Sequence, residues 1–177
     1  MCTAFVPLLL YWNYGLTLVL LALAAAGYSI TQLLSLRGID VPVISLVTDI
    51  AARKRDNGRF VLGPLTLVLG IISAAILWPL QPATIGILAL AFGDGLASLG
   101  GKLFGRLHIP FTGGKTCAGS LTCFVAIFIS CFAICRCTKV ALIVAVCGMV
   151  IEMLPLKDFD NLLIPVLLGG VAHMFIL

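Results

Sequence analysis

Long apolar runs alternate with short polar connectors along the chain, and several runs approach the roughly 20 mostly apolar residues that a helix needs to cross hydrocarbon. Spans are expected at residues 4–26, 60–77, 84–100, 118–134, 140–153 and 162–177, the last two being short. The pattern predicts an all-α fold, a multi-pass transmembrane helical bundle of about six spans, built as a single membrane domain over residues 1–177. The longest interval between runs, residues 27–59, reads as a connector with amphipathic patches whose middle lies along the membrane surface. It ends in "ARKRDNGR", residues 52–59, which serves equally as a topology anchor or as a phosphate contact. No internal repeat and no low-complexity segment interrupts the pattern.

Composition agrees: 62% of residues are hydrophobic and 10% charged, where a typical soluble domain carries about 25% charged residues. A water-facing surface could hardly be covered. The first run has no basic segment before it and is too long for the apolar region of a signal peptide, so it is kept as a span. An even number of spans leaves both termini on one side. Arg37, Arg53, Lys54, Arg55, Arg59, Lys102, Arg106, Lys115 and Lys157 then share a face, with Arg136 and Lys139 opposite. By the positive-inside rule the crowded face is cytoplasmic.

The carboxylates Asp40, Asp49, Asp56, Asp94, Glu152, Asp158 and Asp160 fall on or near that same side. A pore or carrier would more often place ionisable groups near the midplane, so a one-sided cluster points to chemistry at the cytoplasmic surface. The net charge of +4 adds a preference for anionic lipid or nucleotide. No nucleic-acid partner is expected. Seven cysteines lie mostly within or beside the spans, where a thiol acts as a small apolar group. Cys135 and Cys137, near the opposite loop, are the two placed to pair with another thiol. His108 and His173 are expected to be structural.

The segment "LAFGDGLASLGGKLFG", residues 90–105, puts a carboxylate where a helix leaves the hydrocarbon. At about 100° per residue, Asp94, Ser98, Gly101 and Gly105 share one stripe, with Lys102 at its margin. Close helix packing through a small-xxx-small spacing accounts for the glycines. It does not account for Asp94, which is costly there unless paired, bound to a cation or exposed in a wet cleft. Gly93 and Gly95 each cost a helix interior roughly 0.5–1 kcal/mol relative to alanine, and a helix loosened there exposes backbone groups to a ligand.

"FTGGKT", residues 111–116, follows as a loop able to turn N–H groups and an ammonium toward phosphate, or as a simple turn. It is not a P-loop, whose spacing would require glycine at Ile109. "EMLPLKDFDN", residues 152–161, returns to the same face with Glu152, Asp158, Asp160 and Asn161. Asp158 reads best as part of a solvated loop. Magnesium on a nucleotide uses one or two carboxylates plus phosphate oxygens and water, so residues 93–120 and 152–165, facing one cleft, would suffice.

These residues resemble the polyprenol, dolichol and phytol kinase family, membrane enzymes that phosphorylate a lipid alcohol with CTP or another nucleotide. The family pattern is D-x-x-A-x-x-x-G-x-x-x-G, a gap, then K-K-T-x-E-G. Asp94, Ala97, Gly101, Gly105, Lys115, Thr116 and Gly119 match it, while Gly114 stands at the first lysine and Ala118 at the glutamate. "DNLLIP", residues 160–165, is similar to the D-N-x-x-x-P element of the kinase branch.

The resemblance implies a CTP-dependent lipid-alcohol kinase acting on a polyprenol, phytol or diacylglycerol. Asp94 would hold Mg²⁺ or take the hydroxyl proton, and Lys102, Lys115 and Arg59 would neutralise phosphate. Gly113, Gly114, Thr116 and Gly119 would line the nucleotide, with Glu152, Asp160 and Asn161 completing the metal shell. Cytidylyl transfer, as in the related phosphatidate cytidylyltransferases, is the alternative reaction. A small transporter or assembly subunit with Asp94 paired to a lysine is the alternative of another class.

Overall fold

The computed structural model describes residues 2–36, 62–109, 112, 114–156 and 159–176. After a 3₁₀ turn at Cys2–Phe5, seven helices follow: α1 (Val6–Trp12), α2 (Tyr14–Leu36), α3 (Gly63–Leu77), α4 (Leu80–Phe104), α5 (Cys117–Cys135), α6 (Thr138–Met153) and α7 (Asp160–Ile176). Three helical stretches, Tyr14–Leu34, Leu80–Phe104 and Cys117–Cys135, are long and apolar enough to cross a membrane. Cys2–Trp12, Gly63–Leu77 and Asp160–Ile176 are shorter apolar helical stretches.

The helices from residue 62 onward coincide with the expected apolar runs to within a few residues. The first run differs: it is broken at Asn13, whose backbone is extended at φ −149°. The Asn13 Oδ1 accepts from Leu16 N at 3.0 Å, so the side chain caps the start of α2, the position where asparagine is favoured over helix interiors. α2 then continues to Leu36, so residues 27–36 are helix rather than connector. The remainder of that connector, including "ARKRDNGR", lies outside the described residues.

Packing sets the directions of the helices. Trp78, at the end of α3, donates from Nε1 to Val166 O at 2.9 Å, and its ring covers Gly169 and Gly170. At the other end of α3, Asn161 Nδ2 reaches Gly63 O at 3.4 Å, so α3 and α7 run parallel. Gly70 faces the Asn161 carbonyl, which has no helical N–H partner because Pro165 stands four residues later. Gly86 of α4 faces the Pro165 carbonyl and Gly169 of α7 lies near the Pro82 carbonyl, so α4 returns antiparallel along α7, which packs against both α3 and α4.

A two-residue turn joins α5 to α6, with Arg136 in the left-handed conformation at φ 54° closing α5. The core where α3 to α7 meet holds Ile71, Ile85, Ile127, Val144, Ile164 and Leu168, all nearly inaccessible. α2 keeps Leu16, Val19, Leu20, Leu23 and Ile30 exposed, an apolar surface of the kind hydrocarbon covers. This up-and-down order brings the end of α4, the start of α5, the end of α6 and the start of α7 to one end of the bundle. Arg136 and Lys139 lie at the other, since the 19 residues of α5 rise 1.5 Å each.

Candidate active site

At the end where these four termini meet there is a cleft of about 510 Å³. α4 changes character just before reaching it: Ala89–Asp94 are wound as a π-helix between two α-helical parts. The wider turn is the loosening expected around Gly93, and such π segments recur at functional sites. Gly93 is pressed against Ile127, where an added Cβ would come within 2.8 Å of the side chain, leaving no room for a larger residue. The next residue, Asp94, lines the cleft with Ala97, Ser98, Gly101 and Lys102. The predicted stripe of α4 therefore faces the cavity.

α4 approaches α5 through glycine. A Cβ on Gly101 would lie 3.0 Å from Thr116 Oγ1, one on Gly105 would lie 2.7 Å from the same atom, and one on Gly119 would lie 3.0 Å from Ala97 O. The packing role anticipated for this spacing is thus real, and it shapes one wall of the cleft. Thr116 Oγ1 accepts from Gly119 N at 3.2 Å, capping α5, so the positive end of a 19-residue helix is directed at the cavity.

The residues between α4 and α5 fold back as a short antiparallel pairing of His108 with Thr116. Ile109 N donates to Lys115 O at 2.8 Å and Cys117 N to Leu107 O at 3.0 Å. Thr112 Oγ1 donates to Ile109 O at 2.7 Å. His108, Thr112, Gly114, Lys115 and Thr116 consequently border the cleft. Gly114 has φ 98°, a conformation open to glycine and strained for a side chain.

The far wall carries Glu152, Pro155 and Asp160. Lys115 Nζ lies 3.0 Å from Glu152 Oε1 and also donates to Glu152 O. Ser120 Oγ approaches Glu152 Oε2 at 3.4 Å. Asp160 is buried at 8% exposure and accepts from Asn161 N at 2.9 Å.

Of the expected site residues, Asp94, Lys102, Gly114, Lys115, Thr116, Gly119, Glu152 and Asp160 meet around this one cleft. Asn161 is not in its lining, its amide being turned toward Gly63. Arg59, Gly113 and Asp158 lie outside the described residues. Sequence reasoning missed Thr112 and Pro155 and set His108 aside. The loop turning back at Gly114 explains Thr112 and His108, with the glycine pair in "FTGGKT" as the available signal, while Pro155 comes in with the segment between α6 and α7 that carries Glu152 and Asp160. His173 packs against Trp78 with ring centroids 5.4 Å apart and the planes tilted by 42°, in keeping with the structural role expected of it. All seven cysteines are free thiols, with Cys131 and Cys135 Sγ 3.9 Å apart at the opposite end.

Among the described residues no three His, Cys, Asp or Glu side chains are gathered closely enough to hold a metal by themselves. The cleft instead offers hard oxygen donors, Asp94 and Asp160, in one lining with Lys102 and Lys115. That set fits magnesium arriving on a nucleotide, which brings phosphate oxygens and water as its other ligands.

Known relatives are similar to this chain over part of their length. It is 32% identical over 96 residues to phytol kinase 1, chloroplastic, of Arabidopsis thaliana, covering 52% of this chain and 31% of the relative. It is 36% identical over 81 residues to farnesol kinase, chloroplastic, of the same plant, covering 45% and 26%. To the probable phytol kinase 2, chloroplastic, of Oryza sativa subsp. japonica it is 30% identical over 127 residues, covering 69% and 41%. The matched stretch thus spans less than half of these relatives. No protein-family model matches the chain, and no solved structure matches it.

Proposed function

We propose that this chain, a relative of the phytol and farnesol kinases, is a multi-pass membrane enzyme that transfers a phosphoryl group from a nucleotide, CTP on the family resemblance, to a lipid alcohol. The single observation that carries this reading is the convergence of Asp94, Lys102, Lys115 and Asp160, from three chain segments, on one cleft at the end of an apolar helical bundle. Lys102 and Lys115 at that end support a cytoplasmic orientation by the positive-inside rule.

Phosphoryl transfer asks a protein mainly for positioning and charge stabilisation. The N-terminus of α5, with Lys115 and Lys102, receives the phosphates. Gly114 keeps the loop free of side-chain bulk where the nucleotide lies. Asp94 and Asp160 are the residues that would hold magnesium, which when bound neutralises charge on the phosphate oxygens. Asp94 stands where α4 emerges from the apolar core, the side from which a membrane-borne hydroxyl arrives. That hydroxyl oxygen forms the new bond to the terminal phosphorus as the bridging oxygen of the nucleotide departs, giving a lipid phosphate, a nucleoside diphosphate and a proton.

Incubating purified protein with CTP, magnesium and a panel of phytol, farnesol, a longer polyprenol, diacylglycerol and phosphatidic acid tests the reading. CDP with a lipid phosphate is expected from one of the alcohols. Pyrophosphate with a CDP-lipid would show cytidylyl transfer instead. Replacing CTP by ATP, GTP or UTP in the same assay identifies the donor.

A further inference from the structure

Glu152 was expected to join a metal shell, yet both of its carboxylate oxygens face protein donors. Oε1 lies 3.0 Å from the Lys115 ammonium, and Oε2 faces the Ser120 hydroxyl at 3.4 Å. Lys115 also donates to the main-chain oxygen of Glu152, which belongs to the last turn of α6. Carbonyls of a last helical turn lack intrahelical partners and carry the negative end of the helix dipole. A lysine there satisfies both.

The ammonium has three N–H donors. Two are taken by Glu152, one on the side chain and one on the main chain, and the third is left for a group in the cleft that Lys115 lines. A long flexible stem is thereby ordered before any ligand arrives, and a phosphate binding to it need not meet that ordering cost. For Glu152, itself buried at 8% exposure, to bind a cation directly, it would first have to give up its ion pair with Lys115, whose charge helps to offset the cost of burying the carboxylate.

We propose that Glu152 is a positioning residue, which loads Lys115 for the nucleotide phosphates rather than binding the metal. The reference to nucleotide rests on the kinase reading above; the holding of Lys115 does not. The test compares wild type with Glu152→Gln in two measurements. In steady-state assays, Glu152→Gln is expected to raise the KM for nucleotide by roughly 10- to 100-fold, the scale of a lost charge-assisted bond. The magnesium concentration for half-maximal activity should stay unchanged.

In the second measurement, without substrate, the purified proteins are treated with an N-hydroxysuccinimide acetate and acylation of each lysine is followed by mass spectrometry. Lys115 should react more slowly than the exposed Lys102 in wild type and approach its rate in Glu152→Gln. If Glu152→Gln misfolds, Ser120→Ala, which frees only Oε2, is expected to produce a smaller rise in both readouts. A shifted magnesium requirement with unchanged nucleotide KM and unchanged Lys115 acylation would overturn the proposal and return Glu152 to the metal. Wild type inactive on every alcohol would count against the kinase reading, while the acylation contrast would still decide the role of Glu152.

Discussion

Gly105, which closes α4, lies directly against Thr116, the residue that caps α5: a Cβ placed on Gly105 would come within 2.7 Å of both Thr116 Oγ1 and Cγ2. The same hydroxyl accepts from Gly119 N and borders the cleft. Helix packing and cleft geometry therefore depend on one side chain. Gly105→Val is expected to press on the Gly101 carbonyl at the end of α4 as well as on Thr116, at an overpacking cost of about 1–3 kcal/mol. A thermal-shift measurement in detergent should show a lower Tm, and nucleotide KM should rise because the cap moves. An unchanged Tm would mean that the end of α4 and Thr116 accommodate the added side chain at no cost.

The carboxylates of the cleft are expected to be the most sensitive positions for chemistry. Asp94→Asn and Asp160→Asn should each lower kcat by roughly a hundredfold or more, the scale of removing a positioned base or a charge-stabilising group. Both proteins should keep wild-type expression in the membrane. A magnesium titration separates the two roles open to Asp94. A raised metal requirement marks a ligand, whereas an unchanged requirement with a lost acidic limb in the pH profile marks a base.

Gly114 stands where the family pattern has lysine, and its φ of 98° lies outside the range that side chains adopt without strain. Restoring the family residue by Gly114→Lys is expected to cost about 1–3 kcal/mol in backbone strain. It should weaken nucleotide binding, even though nothing within 4 Å would clash with a Cβ there. Isothermal calorimetry with CTP provides the check, tighter binding being the contrary result.

Trp78→Phe removes the hydrogen bond to Val166 O at the opposite end of the bundle from the cleft. A loss of about 1–3 kcal/mol in stability is expected, from the bond and the acceptor it leaves unpaired. Below the transition temperature kcat and KM should match wild type. A kinetic change in a variant of undiminished stability would show that this end communicates with the site.

Two exposed cysteines report the orientation. Cys117 begins α5 at the cleft and Cys137 follows it at the far end. With the other five cysteines replaced, a membrane-impermeant maleimide applied to intact cells should label Cys137, and Cys117 only after permeabilisation. The reverse pattern would place the cleft on the non-cytoplasmic side.

The sequence alone determined which segments are helical from residue 62 onward, because a run of apolar residues in hydrocarbon has to satisfy its backbone locally. It also singled out Asp94 and Lys115 as residues that need a partner or a wet cleft, since a carboxylate or ammonium beside an apolar run is costly wherever the chain goes. The break at Asn13 was masked by apolar residues on both sides of it, and a cap depends on one side chain rather than on a periodic pattern. Only the tertiary structure decided which polar groups meet. The antiparallel return of α5 and α6 brings Glu152 to Lys115, and the parallel packing of α3 on α7 turns Asn161 toward Gly63 and away from its neighbour Asp160. The π turn before Asp94 and the positive φ of Gly114 likewise follow from how the helix ends fit together. Such contacts join residues far apart in the chain, and local hydrophobicity carries no record of them.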